Sequence, residues 1–218
     1  MDQQDQSRAD LDWREGAIPV SRRFDDPYFS LNGGLEETRH VFLAGNDLPA
    51  RLRPGFHVAE LGFGTGLNLL ALAQVATVPV RFTSFEAFPM SGDELARAHA
   101  AFPELADLAA QLRAGWPARR FTVGQVSAEV IEADARTALP AWAGRADAWF
   151  LDGFSPARNP ELWGEDLMAE VAAHTAPGGS FATYTAAGHV RRALAAAGFA
   201  VTRAPGFAGK RHMSRGQL

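Results

Sequence analysis

Four carboxylates and a group of closely spaced glycines are the residues of this chain whose types and spacing best suit chemistry. The stretch ELGFGTGLN, residues 60–68, begins with Glu60 and has glycine at every second position from 62 to 66. Glu86, Asp134 and Asp152 each stand at the end of an apolar run of strand length. Glycine lets a backbone approach a ligand closely, and carboxylates accept hydrogen bonds from hydroxyl, amino and ammonium groups. Together they indicate a binding site for a polar organic ligand.

The spacing of the glycines separates the possible ligands. A dinucleotide-binding loop has the pattern GxGxxG, which requires glycine at position 67, but Leu67 stands there and the pattern is GxGxG. A phosphate group prefers backbone amides and cations, whereas this loop is accompanied by carboxylates. A cationic nucleoside therefore fits better than a dinucleotide or a free phosphate.

The positions of the acids match the parts of such a nucleoside. Glu86, 20 residues after Gly66, is placed to accept hydrogen bonds from ribose hydroxyls. The glycines admit the amino-acid part, Glu60 orients the loop or the ammonium of that part, and Asp134 accepts from an adenine amino group. A sulfonium is also favoured beside an aromatic face such as that of Phe63. The ligand with all these parts is S-adenosylmethionine.

The predicted cofactor site therefore combines the glycine loop with acids from the strand ends. Its members are Glu60, Gly62, Phe63, Gly64, Thr65, Gly66, Asn68, Glu86, Asp134 and Ala135. Each acid taken singly also has a simpler interpretation as a solvated carboxylate or a helix cap, and Asp134 could cap a helix that starts at Ala135. Four acids at one edge of one sheet favour a functional site.

The elements that position these residues alternate between strand and helix from His57 onward. Apolar runs predict buried strands, mostly parallel, at HVAEL, VRFTSFE, EVIEAD, DAWFLDGF and GGSFATYT. Helical spacing predicts helices over residues 67–76, 93–101, 105–114, 160–174 and 190–197. This order predicts an α/β fold with a doubly wound, mostly parallel sheet, in which ligands bind at the carboxyl ends of the strands.

The first part of the chain differs from this pattern because it is polar and rich in turns. Residues 1–12 are predicted to be a disordered tail. Residues 13–56 are predicted to form an N-terminal extension, or lid, on a domain formed by residues 57–218. Apolar residues at helical spacing after an Asn-Gly-Gly turn predict a short amphipathic helix over residues 35–42.

The composition excludes several kinds of chemistry. The 218 residues include no cysteine, which excludes disulfides and thiolate sites, and the six histidines lack a spacing such as HExxH, so no metal is expected. No signal peptide is recognisable, and no apolar run approaches the roughly 18 residues that cross a bilayer. We therefore expect a soluble cytoplasmic protein. The net charge of −4 argues against a general nucleic-acid coat, although 20 arginines and one lysine permit a local patch.

Several motifs in the chain resemble one family. They are FDDPYFS (24–30), NGGLEETRHVFL (32–43), ELGFGTGLN (60–68), SFEAFP (84–89), AWFLDGFSPARNPELW (148–163), PGGSFATYTAAGHVRRALAAAGF (177–199) and GFAGKRHM (206–213). Over roughly residues 13–214 the chain is similar to the methyltransferase domain of MnmC-type tRNA-modifying enzymes. NGGLEETRHVF and DGFSPARNPELW distinguish this family from other methyltransferases. Leu61 is a departure, because some members have a small polar residue there.

The resemblance implies a class I S-adenosylmethionine-dependent methyltransferase fold of the Rossmann-like type. It implies methylation of the primary amine of 5-aminomethyl-2-thiouridine at the tRNA wobble position, giving 5-methylaminomethyl-2-thiouridine. The glycines, Glu86 and Asp134 carry over to cofactor binding, and Asp152 to the substrate amine. In two-domain members a flavin-dependent oxidase follows. Because this chain ends at Leu218, the resemblance implies the stand-alone form, with a separate FAD-dependent oxidase or another aminomethyl-forming enzyme as a partner.

Asp152 is the predicted catalytic residue. An alkylamine has a pKa of about 10.4 and must lose its proton before the nitrogen can accept a methyl group. A carboxylate binds the ammonium but raises its pKa, whereas desolvation by Phe154, Pro156 and Tyr28 or Trp163 lowers it. We therefore expect Asp152 to position the amine and to pass its proton to water.

A tRNA partner requires cations around the mouth of the site. An anticodon-loop base is single-stranded and can be splayed into a pocket. The candidate phosphate contacts, each of which could also be a solvated surface charge, are Arg22, Arg23, Arg158, Arg191, Arg192, Lys210 and Arg211. The predicted substrate-binding residues are thus Tyr28, Phe154, Pro156, Arg158, Lys210 and Arg211. Two alternatives stay open, an N-methyltransferase that acts on a small amine and a non-catalytic tRNA-binding module.

Overall fold

Two sheets organise the chain, a small one near the N-terminus and a large one that carries the site. The computed structural model describes residues 7–30 and 33–218, except for the side chain of Pro117. The small sheet consists of β1 (Leu11–Arg14), β2 (Ile18–Ser21) and β3 (Asp26–Pro27). These strands are antiparallel and adjacent in chain order, so the extension has local structure of its own.

The predicted tail over residues 1–12 overlaps this small sheet. Residues 1–6 lie outside the described residues, but Leu11 and Asp12 belong to β1 and pair with β2. The Arg22 guanidinium lies 2.6 Å from the Asp12 carboxylate. The predicted boundary of the tail is therefore wrong. Leu11 and Asp12 are polar or isolated in the sequence, but strand pairing with β2 and the ion pair with Arg22 give them a defined position.

A helical segment joins the small sheet to the large one, as the sequence predicts for residues 35–42. The segment comprises α1 (Gly34–Thr38), a π-helical turn (Arg39–Leu43) and a 3-10 turn (Ala44–Asn46). Leu35, Val41 and Phe42 are all buried. The predicted helix is confirmed, and its apolar face packs on the core beside the sheet.

The large sheet has eight strands and is mostly parallel, as predicted. They are β4 (His57–Leu61), β5 (Val80–Glu86), β6 (Arg120–Val123), β7 (Val126–Glu132), β8 (Ala146–Leu151), β9 (Thr175–Thr183), β10 (Ala200–Pro205) and β11 (His212–Gln217). Their order is β10-β11-β9-β8-β4-β5-β7-β6. The central strands β9, β8, β4, β5 and β7 run parallel, while β6, β10 and β11 pair antiparallel with their neighbours.

Helices cover both faces of this sheet. They are α2 (Leu67–Val75), α3 (Gly92–His99), α4 (Ala106–Gly115), α5 (Ala135–Ala138), α6 (Glu165–Ala173) and α7 (Gly188–Ala196). One apolar core contains residues of α2, α3 and α4, and another contains residues of α6 and α7. Val58 belongs to the first core and Ala59 to the second. Because this strand is covered on both faces, all five residues of HVAEL are buried, including the polar His57 and Glu60.

The edges of the sheet depart from the sequence predictions. The antiparallel strands β6, β10 and β11 were not predicted. β6 and β10 are largely exposed or half-buried, and β11 (HMSRGQ) is largely polar, so none of them contains an apolar run. The predicted helix over residues 160–174 is divided into a 3-10 turn (Pro160–Trp163) and α6. Gly164, between the two, has an extended backbone with ψ of 155°.

Candidate active site

The four strand-end acids meet along one edge of the large sheet. Glu86 ends β5, Glu60 is the penultimate residue of β4, and Asp152 directly follows β8. These three strands are adjacent and parallel, so their carboxyl ends lie side by side. Asp134 follows β7, the next strand outward, by two residues. The sheet therefore brings together acids that are far apart in the sequence.

A cavity of about 810 Å³ opens at this edge, lined by the sheet side and by the N-terminal extension. Its size is typical of sites for small organic ligands. The predicted cofactor residues in its lining are Gly62, Phe63, Gly64, Thr65, Asn68, Glu86, Asp134 and Ala135. The predicted catalytic and substrate residues in its lining are Tyr28, Asp152, Phe154 and Lys210. Five further members of the predicted cofactor and substrate sets, all within the described part of the chain, lie outside the lining, namely Glu60, Gly66, Pro156, Arg158 and Arg211. Of the other candidate phosphate contacts, Arg23 is in the lining, and Arg22, Arg191 and Arg192 are not.

The glycine loop passes from β4 to α2 through left-handed backbone conformations. Gly62, Gly64 and Gly66 have φ angles of 78°, 53° and 74°, which strain any residue with a side chain. A Cβ on Gly62 would lie 3.2 Å from the Cα of Gly153, so glycine also permits the close approach of the loops after β4 and β8. A Cβ on Gly64 would lie 3.0 Å from the Tyr28 ring. The loop therefore offers bare backbone to a ligand.

Contacts from behind hold this loop in place. The Phe63 ring stacks on that of Trp116, with centroids 4.9 Å apart and planes at 11°. Nε2 of His99 lies 2.7 Å from the carbonyl oxygen of Thr65 and is within hydrogen-bonding distance. Both contacts come from residues outside the loop, Trp116 and His99, and they fix its conformation.

Glu60 is fully buried beneath the glycine loop. Its Oε1 accepts a hydrogen bond from Asn68 Nδ2 over 2.8 Å, and its Oε2 accepts one from Ser84 Oγ over 2.6 Å. Burial raises the pKa of this carboxyl well above its usual range. These contacts favour the first of its two predicted roles, orientation of the loop, over contact with a ligand ammonium.

Glu86 stands in the wall of the cavity with both oxygens engaged by backbone. Oε2 accepts a hydrogen bond from the Gly64 amide, and Oε1 accepts one from the Phe88 amide, each over 2.8 Å. Burial raises the pKa of Glu86, while these amide donors lower it. Since each carboxylate oxygen can accept two hydrogen bonds, Glu86 keeps acceptor positions for a pair of hydroxyl groups.

Asp134 combines the two alternatives that the sequence left open. It is the N-cap of α5, where its Oδ1 accepts a hydrogen bond from the Arg136 amide over 2.9 Å. The Arg136 side chain also donates to Asp134 Oδ2 over 2.6 Å, and this bond lowers the pKa of the carboxyl. Together with Ala135, the same residues line the cavity. Asp134 therefore borders the cavity with a carboxylate that stays ionised.

Asp152 is held by two donors. Its Oδ1 accepts a hydrogen bond from the Gly153 amide, and its Oδ2 accepts one from Asn68 Nδ2, each over 2.8 Å. Burial outweighs these bonds and raises the pKa of Asp152 to about 7. A carboxyl group with such a pKa can both take up and release a proton near neutral pH, as a general acid or base must.

Aromatic rings from the N-terminal extension cover the loop after β8. The Phe154 ring stacks on Phe24 at 4.7 Å and meets the Tyr28 ring edge-on at 4.9 Å. The Ser155 amide donates to Asp26 Oδ2 over 2.8 Å. All three rings line the same cavity as Asp152, so part of the cavity wall is apolar.

Glu37 and Tyr184 line the cavity, although the sequence predicted no role for either residue. Lys210 Nζ lies 2.6 Å from Glu37 Oε1 and 5.0 Å from the centre of the Tyr184 ring. The Tyr184 hydroxyl donates to the Gly153 carbonyl oxygen over 2.8 Å. Glu37 could have been noticed in the sequence, because it is an acid within the predicted helix and within the motif NGGLEETRHVFL that the chain shares with the MnmC-type family.

The remaining predicted substrate contacts lie outside the cavity. Arg158 is exposed and pairs with Asp25, with Nη2 and Oδ2 3.0 Å apart. Pro156 is half-buried and Arg211 is exposed. An exposed ion pair is weak enough to be exchanged for a phosphate, so Arg158 stays a predicted RNA contact beyond the rim.

The polar groups that line the cavity fit S-adenosylmethionine. The glycine cradle, which a Cβ would fill, admits an amino-acid group, and Glu86 and Asp134 are acceptors for hydroxyl and amino groups. Among the described residues there is no group of three histidine, aspartate or glutamate side chains that could hold a metal ion. Within the same residues, no helix has the length and apolar character needed to span a bilayer.

Comparison with known families identifies the class of enzyme. The profile of a family of S-adenosyl-L-methionine-dependent methyltransferases matches residues 103–218, which is more than half of the chain. The chain belongs to this family. The predicted enzyme class and the predicted methyl donor, S-adenosylmethionine, are thereby confirmed.

The methyltransferase is also similar to curated proteins of tRNA modification. It is 46% identical, over 95% of its length, to the tRNA 5-methylaminomethyl-2-thiouridine biosynthesis bifunctional protein MnmC of Caulobacter sp. (strain K31). It is 45% identical, over 97% of its length, to the protein of that name from Chromobacterium violaceum. The matches cover only 38% and 35% of those relatives. The resemblance to MnmC-type enzymes is confirmed, and it concerns their methyltransferase part.

Solved structures support the fold of the methyltransferase. The crystal structure of MnmC2 from Aquifex aeolicus matches 99% of this chain and 72% of its own, with a TM-score of 0.74 and 24% identity. Spermidine synthase from Thermotoga maritima matches 97% of this chain and 72% of its own, with a TM-score of 0.57 and 11% identity. At these identities the likeness concerns the fold alone, and it confirms the class I methyltransferase architecture.

Proposed function

We propose that this methyltransferase transfers a methyl group to the primary amine of 5-aminomethyl-2-thiouridine at the wobble position of tRNA, giving 5-methylaminomethyl-2-thiouridine. The names of its relatives support this substrate. The single observation that carries the proposal is the position of Asp152, whose carboxyl group stands in the cavity wall, is held by Asn68 and the Gly153 amide, and has its pKa raised by burial to about 7. Such a group suits an amine that arrives as an ammonium and must lose a proton.

The proposed cofactor half of the cavity is the side of the glycine loop. Gly62 and Gly64 would bind the amino-acid part of the cofactor through their backbone, while Glu86 would accept from the ribose and Asp134 from the adenine. When bound, S-adenosylmethionine supplies the methyl group, and its carbon–sulfur bond breaks as the new carbon–nitrogen bond forms. Asn68 links this half to Asp152.

The proposed substrate half lies around Asp152 and the aromatic rings. Asp152 binds the substrate ammonium, aligns its nitrogen with the methyl group, and takes up the proton or passes it to water. Phe154 and Tyr28 exclude water, which lowers the pKa of the amine and favours the neutral form that has a free lone pair. Residues 13–56 are proposed to act as the lid that carries Tyr28.

The proposed RNA partner is the anticodon loop of tRNA, with its wobble base splayed into the cavity. Arg158 and Arg211, beyond the rim, are proposed to contact phosphates. An FAD-dependent oxidase activity, or another activity that forms the aminomethyl group, is proposed to supply the primary amine. The reaction is proposed to take place in the cytoplasm.

The test is a product analysis. The protein is incubated with S-adenosylmethionine and tRNA that carries 5-aminomethyl-2-thiouridine, and the wobble nucleoside is identified by mass spectrometry. A gain of one methyl group on the exocyclic nitrogen is expected. Methylation at another position, or of a free small amine in the absence of RNA, would require a different substrate assignment.

A further inference from the structure

An ion pair occupies the substrate half of the cavity. Lys210, in the loop between β10 and β11, places Nζ 2.6 Å from Oε1 of Glu37 on α1. Both residues line the same cavity as Asp152. The Glu37 side chain is only 11% exposed, whereas that of Lys210 is 48% exposed. The carboxylate is thus fixed in the wall, and the cation reaches it from the solvent side.

The cation in this pair is chemically unusual for this chain. Lys210 is the only lysine among 21 basic residues, the others being arginines. A lysine side chain ends in an alkylammonium, a compact charge with three donors on a flexible stem, unlike the planar guanidinium of arginine. The group that Glu37 binds is therefore a primary ammonium on a CH₂ group, which is also the reactive group of the proposed substrate.

The charges around Lys210 form one cluster. The negative charge of Glu37 raises the pKa of Asp152, and the positive charge of Lys210 lowers it, so the two carboxylates and the ammonium interact. The Tyr184 ring stands 5.0 Å from Lys210 Nζ, within the range of a cation–π contact. If the lysine side chain leaves, two carboxylates and an aromatic face remain, and that combination attracts another cation.

We propose that Glu37 is a specificity-determining residue that binds the substrate ammonium together with Asp152, and that the Lys210 ammonium holds this position in the free protein. This inference rests on the function proposed above. Lys210 leaves by rotation of its half-exposed side chain. The incoming ammonium takes over the hydrogen bond to Glu37, so no charge is left buried without a partner.

Exchange of one ammonium for another gives the site its selectivity. A wobble uridine without the aminomethyl group, or with a neutral hydroxymethyl group, cannot replace the charge that Lys210 supplies to Glu37. Entry of such a base would leave a largely buried carboxylate unpaired, which is costly. The ion pair therefore favours substrates that bring their own ammonium.

A single-site spectroscopic experiment tests this exchange. Because Lys210 is the sole lysine, lysine labelled with ¹³C at Cε and ¹⁵N at Nζ gives one side-chain signal. Anticodon stem-loop RNA with 5-aminomethyl-2-thiouridine is added in the presence of S-adenosylhomocysteine, which prevents turnover. The Lys210 signal is expected to move to the position that it has in the Glu37→Gln variant, where no ion pair exists. The same RNA with an unmodified wobble uridine is expected to leave it in place.

Two results would overturn the inference, namely a Lys210 signal that moves equally with both RNAs and one that the bound aminomethyl RNA does not move. In kinetics, Glu37→Gln is expected to raise KM for the aminomethyl RNA about tenfold, with kcat little changed, because one hydrogen bond to an ammonium is weakened. Glu36→Gln, a change to the exposed neighbour on α1 that pairs with Arg39, is the matched control and should leave KM unchanged. If the wild-type protein does not methylate aminomethyl RNA at all, the proposed function fails, whatever the Lys210 signal does.

Discussion

Asn68 Nδ2 lies 2.8 Å from Asp152 Oδ2, so that a single amide joins the helix after the glycine loop to the acid after β8. The same nitrogen donates to Glu60 Oε1, also over 2.8 Å. An amide nitrogen carries two hydrogens, and here both serve to hold buried carboxylates. The position of Asp152 is therefore set from the cofactor side of the cavity.

Removal of this amide should change the titration of Asp152. In Asn68→Leu the carboxylate loses a donor that favours its charged form, so the pKa of Asp152 rises. The acid limb of the pH profile of kcat/KM is expected to move to higher pH by about one unit, the equivalent of one hydrogen bond. Gln74→Ala, on the same helix but bonded to the exposed Arg39, is the control. A lower rate with an unshifted profile would show that Asn68 only supports the fold.

Asp152 itself should govern the pH dependence of the wild-type enzyme. With a pKa of about 7 in the free protein, its ionised form is lost as the pH falls below 7. Since kcat/KM reports groups of the free enzyme, its value should fall about tenfold per pH unit in that range. Steady-state methyl transfer between pH 5 and pH 9 measures this, and an acid limb centred near pH 4 would contradict it.

Replacement of Asp152 should separate catalysis from cofactor binding. Asp152→Asn and Asp152→Ala are expected to lower kcat by about 10²- to 10⁴-fold, the range of general acid–base contributions. Affinity for S-adenosylmethionine, measured by calorimetry, should be nearly unchanged. An equal loss of cofactor affinity would place Asp152 in the cofactor site instead of the substrate site.

Gly62 should be intolerant of a side chain for two distinct reasons. In Gly62→Ala the residue has a positive φ of 78°, and its Cβ lies 3.2 Å from the Gly153 backbone. Gly55→Ala is the matched control, because φ is 80° there and nothing lies within 4 Å of the new Cβ. Both variants should lose about 1–2 kcal/mol of stability through backbone strain. Thermal unfolding and calorimetry should find a further loss of stability and weaker S-adenosylmethionine binding in Gly62→Ala alone.

Glu86 should contribute strongly to cofactor affinity. Glu86→Gln keeps the size of the side chain but replaces one charged acceptor oxygen with a donor. Affinity for S-adenosylmethionine is expected to fall about 10- to 100-fold, as for the loss of hydrogen bonds to a charged group. Glu132→Gln provides the control, since Glu132 is the register partner of Glu86 on β7 but pairs with Arg119 outside the cavity lining. Similar losses in both variants would point to a general electrostatic effect.

The central sheet and the glycine loop could be predicted from the sequence because both depend on local patterns of residues. HVAEL and VRFTSFE are segments whose apolar residues predict buried strands, and all their residues except Arg81 are buried. The spacing of Gly62, Gly64 and Gly66 records the left-handed conformations that the loop adopts. The acids at the strand ends could be predicted to lie together, since all strands of a parallel sheet run in one direction and end at the same edge. The antiparallel edges had no such pattern, because their polar residues face solvent.

Only the tertiary structure decided which side chains meet. Lys210 and Glu37 are 173 positions apart, and Asn68 and Asp152 are 84 positions apart. No periodic pattern in the sequence predicts such contacts, because they depend on the order of the strands in the sheet and not on local conformational preferences. The sequence by itself therefore determined the ligand-binding loop, the sheet and the acids at its edge. Their burial, their hydrogen bonds and the ammonium beside Asp152 came from packing, since a carboxyl group acquires its pKa from neighbours that only the folded chain supplies.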